Sequence, residues 1–206
     1  MNYAKDKGML TKEEFLHIAD IIRPTIAEVI TKYDHNKYPS TDYNRFKTSF
    51  ANLRKENTDI SDALIWKWGH WGKKNFPQSH KDLISEIEYL WPHFVDSNAT
   101  SSSEETFNWW SNRLTKSTRF ITVSFITHLV HYNELLPIID QHNFRAMGSF
   151  IRMVKPENKF KKKPSKWNDI IELKSFMVSL NEILNTLEYS DLDRYLMMYG
   201  KYHSVR

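Results

Sequence analysis

Between Thr118 and Tyr132 the chain places Phe120, Ile121, Val123, Phe125, Ile126, Leu129 and Val130 within fifteen residues. Drawn as a helix, this segment is apolar on most of its circumference, which predicts a central, enclosed helix rather than a surface one. Its β-branched residues also suit a strand, but fifteen residues is long for one. Such a helix has to be wrapped on nearly all sides. The rest of the chain can do that, being 40% hydrophobic and 14% aromatic over 206 residues, enough for one generous domain or two small lobes sharing a core.

The flanking sequence is helical in pattern. Thr11 and Glu14 form a capping box, and Phe15, Ile18, Ile22, Ile26 and Ile30 follow at helical spacing to about Tyr33, with Pro24 splitting or kinking the run near Arg23. A loop with Pro39 leads to a second helix over Tyr43–Lys55. Asp59 or Ser61 opens a third, Ala63 to about Trp71. Ser79 is the expected cap of a fourth, which contains Leu83, Ile87 and Trp91. After the polar linker Asp96–Ser103, Ser102 and Glu105 form another capping box ahead of Trp109 and Trp110. A helix from near Asp140 to about Val154 precedes a lysine-rich loop. Lys166–Leu173, Phe176–Leu187 and Ser190–Tyr199 then read as separate helices, with Gly200 as the last C-cap. About nine or ten helices, no convincing strand and no repeat predict an all-α fold.

Composition removes several classes of function. There is no cysteine, so disulfides, thiol nucleophiles and cysteine-ligated zinc or iron–sulfur clusters are excluded. No apolar run approaches the length of a membrane span, and the first residues lack the apolar core of a secretory signal, so a cytoplasmic or nucleoid-associated protein without a membrane partner is expected. His128 and His131 have no third ligand at zinc-motif spacing, and no metal or other cofactor is expected. Walker A, G-x-G-x-x-G and G-x-S-x-G patterns are missing. The net charge of +4 is concentrated at Lys155, Lys159, Lys161, Lys162, Lys163 and Lys166, a segment that reads either as a solvated loop or as a phosphate contact.

One stretch carries a chemical signal. In Leu136–Met147 an apolar run meets Pro137 and the single carboxylate of Asp140, then resumes as an amphipathic helix with Phe144 and Met147. Asp140 is placed to cap that helix. Pro137, Asp140, His142, Phe144 and Arg145 also fit, in register, a pattern close to P-I/V-x-D-x-H-x-x-R. In this the stretch resembles the catalytic segment of the helix-hairpin-helix DNA glycosylase superfamily, which includes endonuclease III and the adenine and 8-oxoguanine glycosylases.

The resemblance implies a two-lobed helical fold with a central cleft, residues 1–58 and 155–206 forming one lobe and 59–154 the other. It implies a monomeric enzyme acting on double-stranded DNA, with Asp140 stabilising the sugar cation and activating water. The lysine of bifunctional members falls 18 to 19 positions before the aspartate. Thr122 and Ile121 stand there instead, so a monofunctional glycosylase is implied, with Thr122 at the site as in adenine glycosylases. The family's glycine-rich hairpin is replaced by Leu114–Phe120, where Lys116, Ser117 and Arg119 are the candidates for holding a phosphate. His142 contacts a phosphate or supports the helix start. Arg145 reaches either a phosphate or an acid within the protein. Lys159, Lys161, Lys162 and Lys163 complete the expected DNA contacts.

Trp66, His70, Trp71, Trp109 and Trp110 are the candidates for stacking an extruded base. Trp109 and Trp110 are adjacent and point in different directions, so at least one is expected at the surface, at an interface or in a pocket. Two other functions fit the same residues: thymine hypermodification of the kind phage enzymes with a similar helical domain perform, or a non-catalytic DNA- or protein-binding module in which Asp140 only caps.

Overall fold

The structure, a computed structural model, describes residues 10–98, 102–115, 119–185 and 187–203. The protein is all-α, with no strand among the described residues. Its helices are α1 (Lys12–Ile22), α2 (Ile26–Ile30), α3 (Ser40–Ala51), α4 (Ile60–Lys67), α5 (Gln78–Asn98), α6 (Ser103–Arg113), α7 (Phe120–Val130), α8 (Gln141–Val154), α9 (Trp167–Leu184) and α10 (Tyr189–Tyr202). None of the described helices is long and apolar enough to cross a membrane.

Local chemistry sets several of the boundaries. Thr11 and Ser102 each accept a hydrogen bond from the N–H three residues on, while Glu14 and Glu105 reach back to close both capping boxes. Pro24 interrupts the first apolar run with a 3-10 turn, Arg23–Thr25, as its missing N–H requires. Other boundaries differ from the sequence pattern. Helix α5 starts at Gln78, which puts Ser79 inside its first turn. Helix α9 is continuous where a break after Leu173 is expected, because Lys174 and Ser175 bring neither proline nor glycine. Gly200 does not cap α10; it lies within the helix, where an added Cβ would overlap the His142 carbonyl.

The chain divides into two compact units. One comprises residues up to 33, 140–164 and from 172 onward; the other comprises 34–139 and 165–171. The lobes that the resemblance implies group 34–58 with the termini and 140–154 with the middle, whereas the contacts do the reverse. The reason lies in α8, which packs along α10 and α1. Phe150 meets Tyr199 at 4.5 Å between ring centres, and the Asn143 amide donates to Asp193 at 3.0 Å.

In the other unit α7 is the enclosed centre. Thr122 through Leu129 are all buried, with α3, α4 and α6 packed around them. Trp66 of α4 stacks on Phe125 at 5.8 Å and on Tyr43 at 5.3 Å, and its indole N–H donates to the Pro39 carbonyl at 3.1 Å.

Candidate functional site

Helix α8 begins at Asp140, whose backbone is extended, with φ −144° and ψ −177°. Its Oδ1 accepts from the N–H groups of His142 at 2.6 Å and Asn143 at 3.0 Å. The Asn143 side chain accepts from the Asp140 N–H at 2.9 Å, which completes a capping box. Asp140 Oδ1 is thus committed to the helix start, while Oδ2 makes no hydrogen bond among the described residues. His142 Nδ1 accepts from the Arg145 guanidinium at 3.1 Å, so the ring is neutral with its proton on Nε2. Burial pushes the His142 pKa down, opposed by the Asp140 carboxylate and the Gly200 backbone and assisted by Arg145 and Lys201.

Helix α8 is strongly two-faced. Phe144, Met147, Phe150 and Ile151 are buried, while Gln141, Arg145, Gly148 and Arg152 recur at i, i+4, i+7 and i+11 along another face. The lysine-rich segment folds back over that second face. Phe160 lies 4.9 Å from Phe144 between ring centres and rests against Gly148, where a Cβ would overlap the ring. The lack of a side chain at Gly148 therefore lets Phe160 seat, and Phe160 brings the three lysines that follow it to the helix. Lys161 Nζ stands 5.9 Å from the centre of the Phe144 ring.

Helix face and loop enclose a groove of about 270 Å³, lined by Arg145, Arg152, Lys161, Lys162 and Lys163 with Gln141, Gly148 and Phe160. Among the described residues, five cations line it and no acid does. Arg145, Arg152, Lys162 and Lys163 have no acidic partner among the described residues. The internal ion pair open to Arg145 is therefore not made; His142 and the Gln141 carbonyl occupy its guanidinium. Like charges held this close raise the local positive potential and favour a polyvalent anion, and arginine's planar fork matches phosphate.

The groove joins Arg145, Lys161, Lys162 and Lys163, which the sequence singles out, with Arg152 and Gln141, which it does not. The signal for those two is the four-three-four spacing of the polar stripe on α8. Lys159 is exposed outside the groove, and Lys155 is paired with Glu14 at 3.1 Å. Lys116 and Ser117 lie outside the described residues.

The remaining candidates belong to the other unit. Thr122 is buried within α7. Arg119 donates to the Ser111 carbonyl. Trp66 is a core residue; His70 is half-buried and hydrogen-bonded to His80 at 3.2 Å; Trp71 is half-buried with its ring edge-on to Phe46. Trp109 and Trp110 are both buried, contrary to the expectation that one lies outside. The two rings meet edge-to-face at 4.8 Å, and each lies 5.2 Å from Phe94, so α6 is covered on both of the faces they occupy.

His128 and His131 use all their ring nitrogens within the protein, on the Leu136 carbonyl, Tyr43, Thr106 and Glu134. Among the described residues no group of three or more His, Asp or Glu is placed to hold a metal ion. No protein-family model, curated protein or solved structure matches this chain.

Proposed function

We propose that this all-α protein binds nucleic acid, with the groove between α8 and the loop 160–163 holding backbone phosphates of duplex DNA. The observation that carries the reading is the set of five cations around one groove, with no acid lining it among the described residues. Internal ion pairing would neutralise such charges in a structural role; here four of them have no acidic partner among the described residues. Binding that neutralises phosphates releases condensed counterions, so it weakens steeply with salt.

The test is fluorescence anisotropy of a labelled duplex titrated with the protein from low to high salt. Replacing Lys161, Lys162 and Lys163 together by glutamine should weaken binding and lower the salt slope by about 2.7, close to 0.9 per lost phosphate contact. Unchanged affinity and slope in that variant would defeat the proposal.

A second reading, cleavage of an N-glycosidic bond by Asp140, draws support from one observation. The carboxylate caps α8 through Oδ1 alone, and its second oxygen stands at the start of the helix that lines the groove. A single such oxygen can stabilise an oxocarbenium-like sugar and orient a water. The stacked, largely buried state of Trp66, Trp109 and Trp110 withdraws part of the base pocket this reading needs. Duplexes carrying uracil, hypoxanthine, 8-oxoguanine or alkylated purines, treated with alkali after incubation, report the reaction. Breaks that depend on alkali and vanish in Asp140→Asn are its signature.

A further inference from the structure

A second cleft, in the unit built around α7, has a chemistry unlike that of the groove. It measures about 420 Å³, large enough for one nucleotide, and opens between the end of α6, the start of α7 and residues 165–168. One wall is aromatic. Phe107 contacts Phe120 at 5.8 Å and Trp167 at 5.4 Å between ring centres, and Trp167 is only half-buried, so it is not sealed off from a ligand in the cleft.

The rim is polar. Asn108 and Asn168 contribute two side-chain amides, and Lys166 and Arg119 contribute two cations. The amides of Asn108 and Asn168, the Trp167 indole N–H and the Lys166 ammonium make no hydrogen bond or ion pair among the described residues. The carboxylate of Asp169, next to this segment in sequence, is buried, and its Oδ2 accepts from the backbone N–H groups of Ser165 at 2.6 Å and Lys166 at 3.0 Å. It therefore orders the segment that presents Lys166 and does not itself line the cleft.

An aromatic platform, two amides that can each donate and accept, and two cations, with no lining acid among the described residues, match one ligand class. The ligand carries a flat heterocycle with hydrogen-bonding edges, and it carries an anionic group. Base stacking on aromatic side chains and charge-assisted bonds to phosphate are the corresponding energies. We infer that this cleft binds a nucleoside monophosphate unit, with the base against Trp167 between Asn108 and Asn168 and the phosphate toward Lys166 and Arg119. The same chemistry occurs in a free mononucleotide and in a nucleotide of a single strand. The inference does not rest on the groove of α8, which lies in the other unit.

The test uses the full chain labelled with ¹⁵N, in which the Trp167 indole and the Asn108 and Asn168 side-chain amides report directly. The four 5′-mononucleotides, a nucleoside, inorganic phosphate and a short single-stranded oligonucleotide are titrated separately. Saturable shifts of those three signals are expected with a mononucleotide or with the oligonucleotide; which of the two binds tighter identifies the source. The nucleoside and inorganic phosphate should each bind at least about tenfold more weakly, as expected for loss of a charge-assisted or stacking contact.

Lys166→Gln and Asn168→Ala, both at exposed positions, should each weaken binding about tenfold. Absence of saturable shifts at Trp167, Asn108 and Asn168 with both mononucleotides and oligonucleotide overturns the inference. So does binding that persists in Lys166→Gln and Asn168→Ala. Failure of the groove proposal shows only in duplex affinity and its salt slope, so the two outcomes are read separately.

Discussion

The Tyr43 hydroxyl donates to His128 Nε2 across 2.5 Å, with the two rings 5.9 Å apart and only 12° from parallel. The direction of that bond follows from the other side of the imidazole. Nδ1 lies 2.6 Å from the Leu136 carbonyl, which can only accept, so Nδ1 carries the proton and Nε2 is the acceptor. The pair ties α3 to α7 and to the residues just before Pro137. Tyr43→Phe keeps the stacked ring but strands a buried nitrogen, which costs about 1–3 kcal/mol. Chemical denaturation should show that loss in the midpoint, with an unchanged dependence on denaturant concentration. A variant as stable as the parent would show that water satisfies Nε2.

Burial drives the His128 pKa down to about 4 from 6.5, with the Leu136 carbonyl opposing the shift and Lys67 and Lys47 adding to it. A histidine whose pKa is depressed by folding takes up its proton more readily in the unfolded chain. Above pH 6.5 both states are neutral at this site and stability is unaffected. As pH falls from 6.5 toward 4 the unfolded state gains protons first, and stability drops by about 3 kcal/mol in all. His70, His131 and His142 are shifted in the same direction, mainly by burial. Unfolding measured at pH 7.5 and pH 5 should therefore show a clear loss at the lower pH. His128→Gln should flatten part of that dependence even if it lowers the absolute stability.

Much of this architecture can be read from neighbours in sequence, and the unread part depends on residues far apart. The capping boxes of Thr11 and Ser102 and the cap at Asp140 are made by bonds spanning two or three residues, so the residue types at those positions announce them, although the return bond from Asn143 at the third is not part of that pattern. Pro24 breaks its helix for a reason internal to proline. The enclosure of α7 follows from its own apolar circumference. Gly200, by contrast, looks like a stop signal until His142 is found against it. The covering of both Trp109 and Trp110 requires knowing where Phe94 falls. The groove is half legible: the lysines stand out as a charge run, but their partners Arg145 and Arg152 join them only once Phe160 seats on Gly148.

Asp140 separates a cap from a catalyst through a single substitution. Asparagine is as good an N-cap as aspartate, because its side-chain oxygen can accept the same two N–H groups. Asp140→Asn should therefore fold normally and bind duplex DNA through the groove as the parent does. Asp140→Ala loses the cap and about 1 kcal/mol of stability. If the parent excises a base, Asp140→Asn abolishes that reaction with thermal stability nearly unchanged. Excision surviving in Asp140→Asn would move the chemistry to another residue.

Gly148 and Gly200 should respond differently to alanine. At Gly200 the added methyl meets the His142 backbone carbonyl, which cannot swing aside without separating α8 from α10. Overpacking of that kind costs about 1–3 kcal/mol, outweighing the helix propensity that alanine supplies. At Gly148 the methyl meets the ring of Phe160, a loop side chain that can lift away. Gly148→Ala should therefore change the melting temperature little, the gain in propensity of up to about 1 kcal/mol offsetting the lost Phe144–Phe160 contact. It should nevertheless lower duplex affinity, because lifting Phe160 carries Lys161, Lys162 and Lys163 off the α8 face. Melting curves and duplex titrations on both variants decide the matter: Gly148→Ala binding as tightly as the parent would mean that the lysines do not need Phe160 to hold them in place.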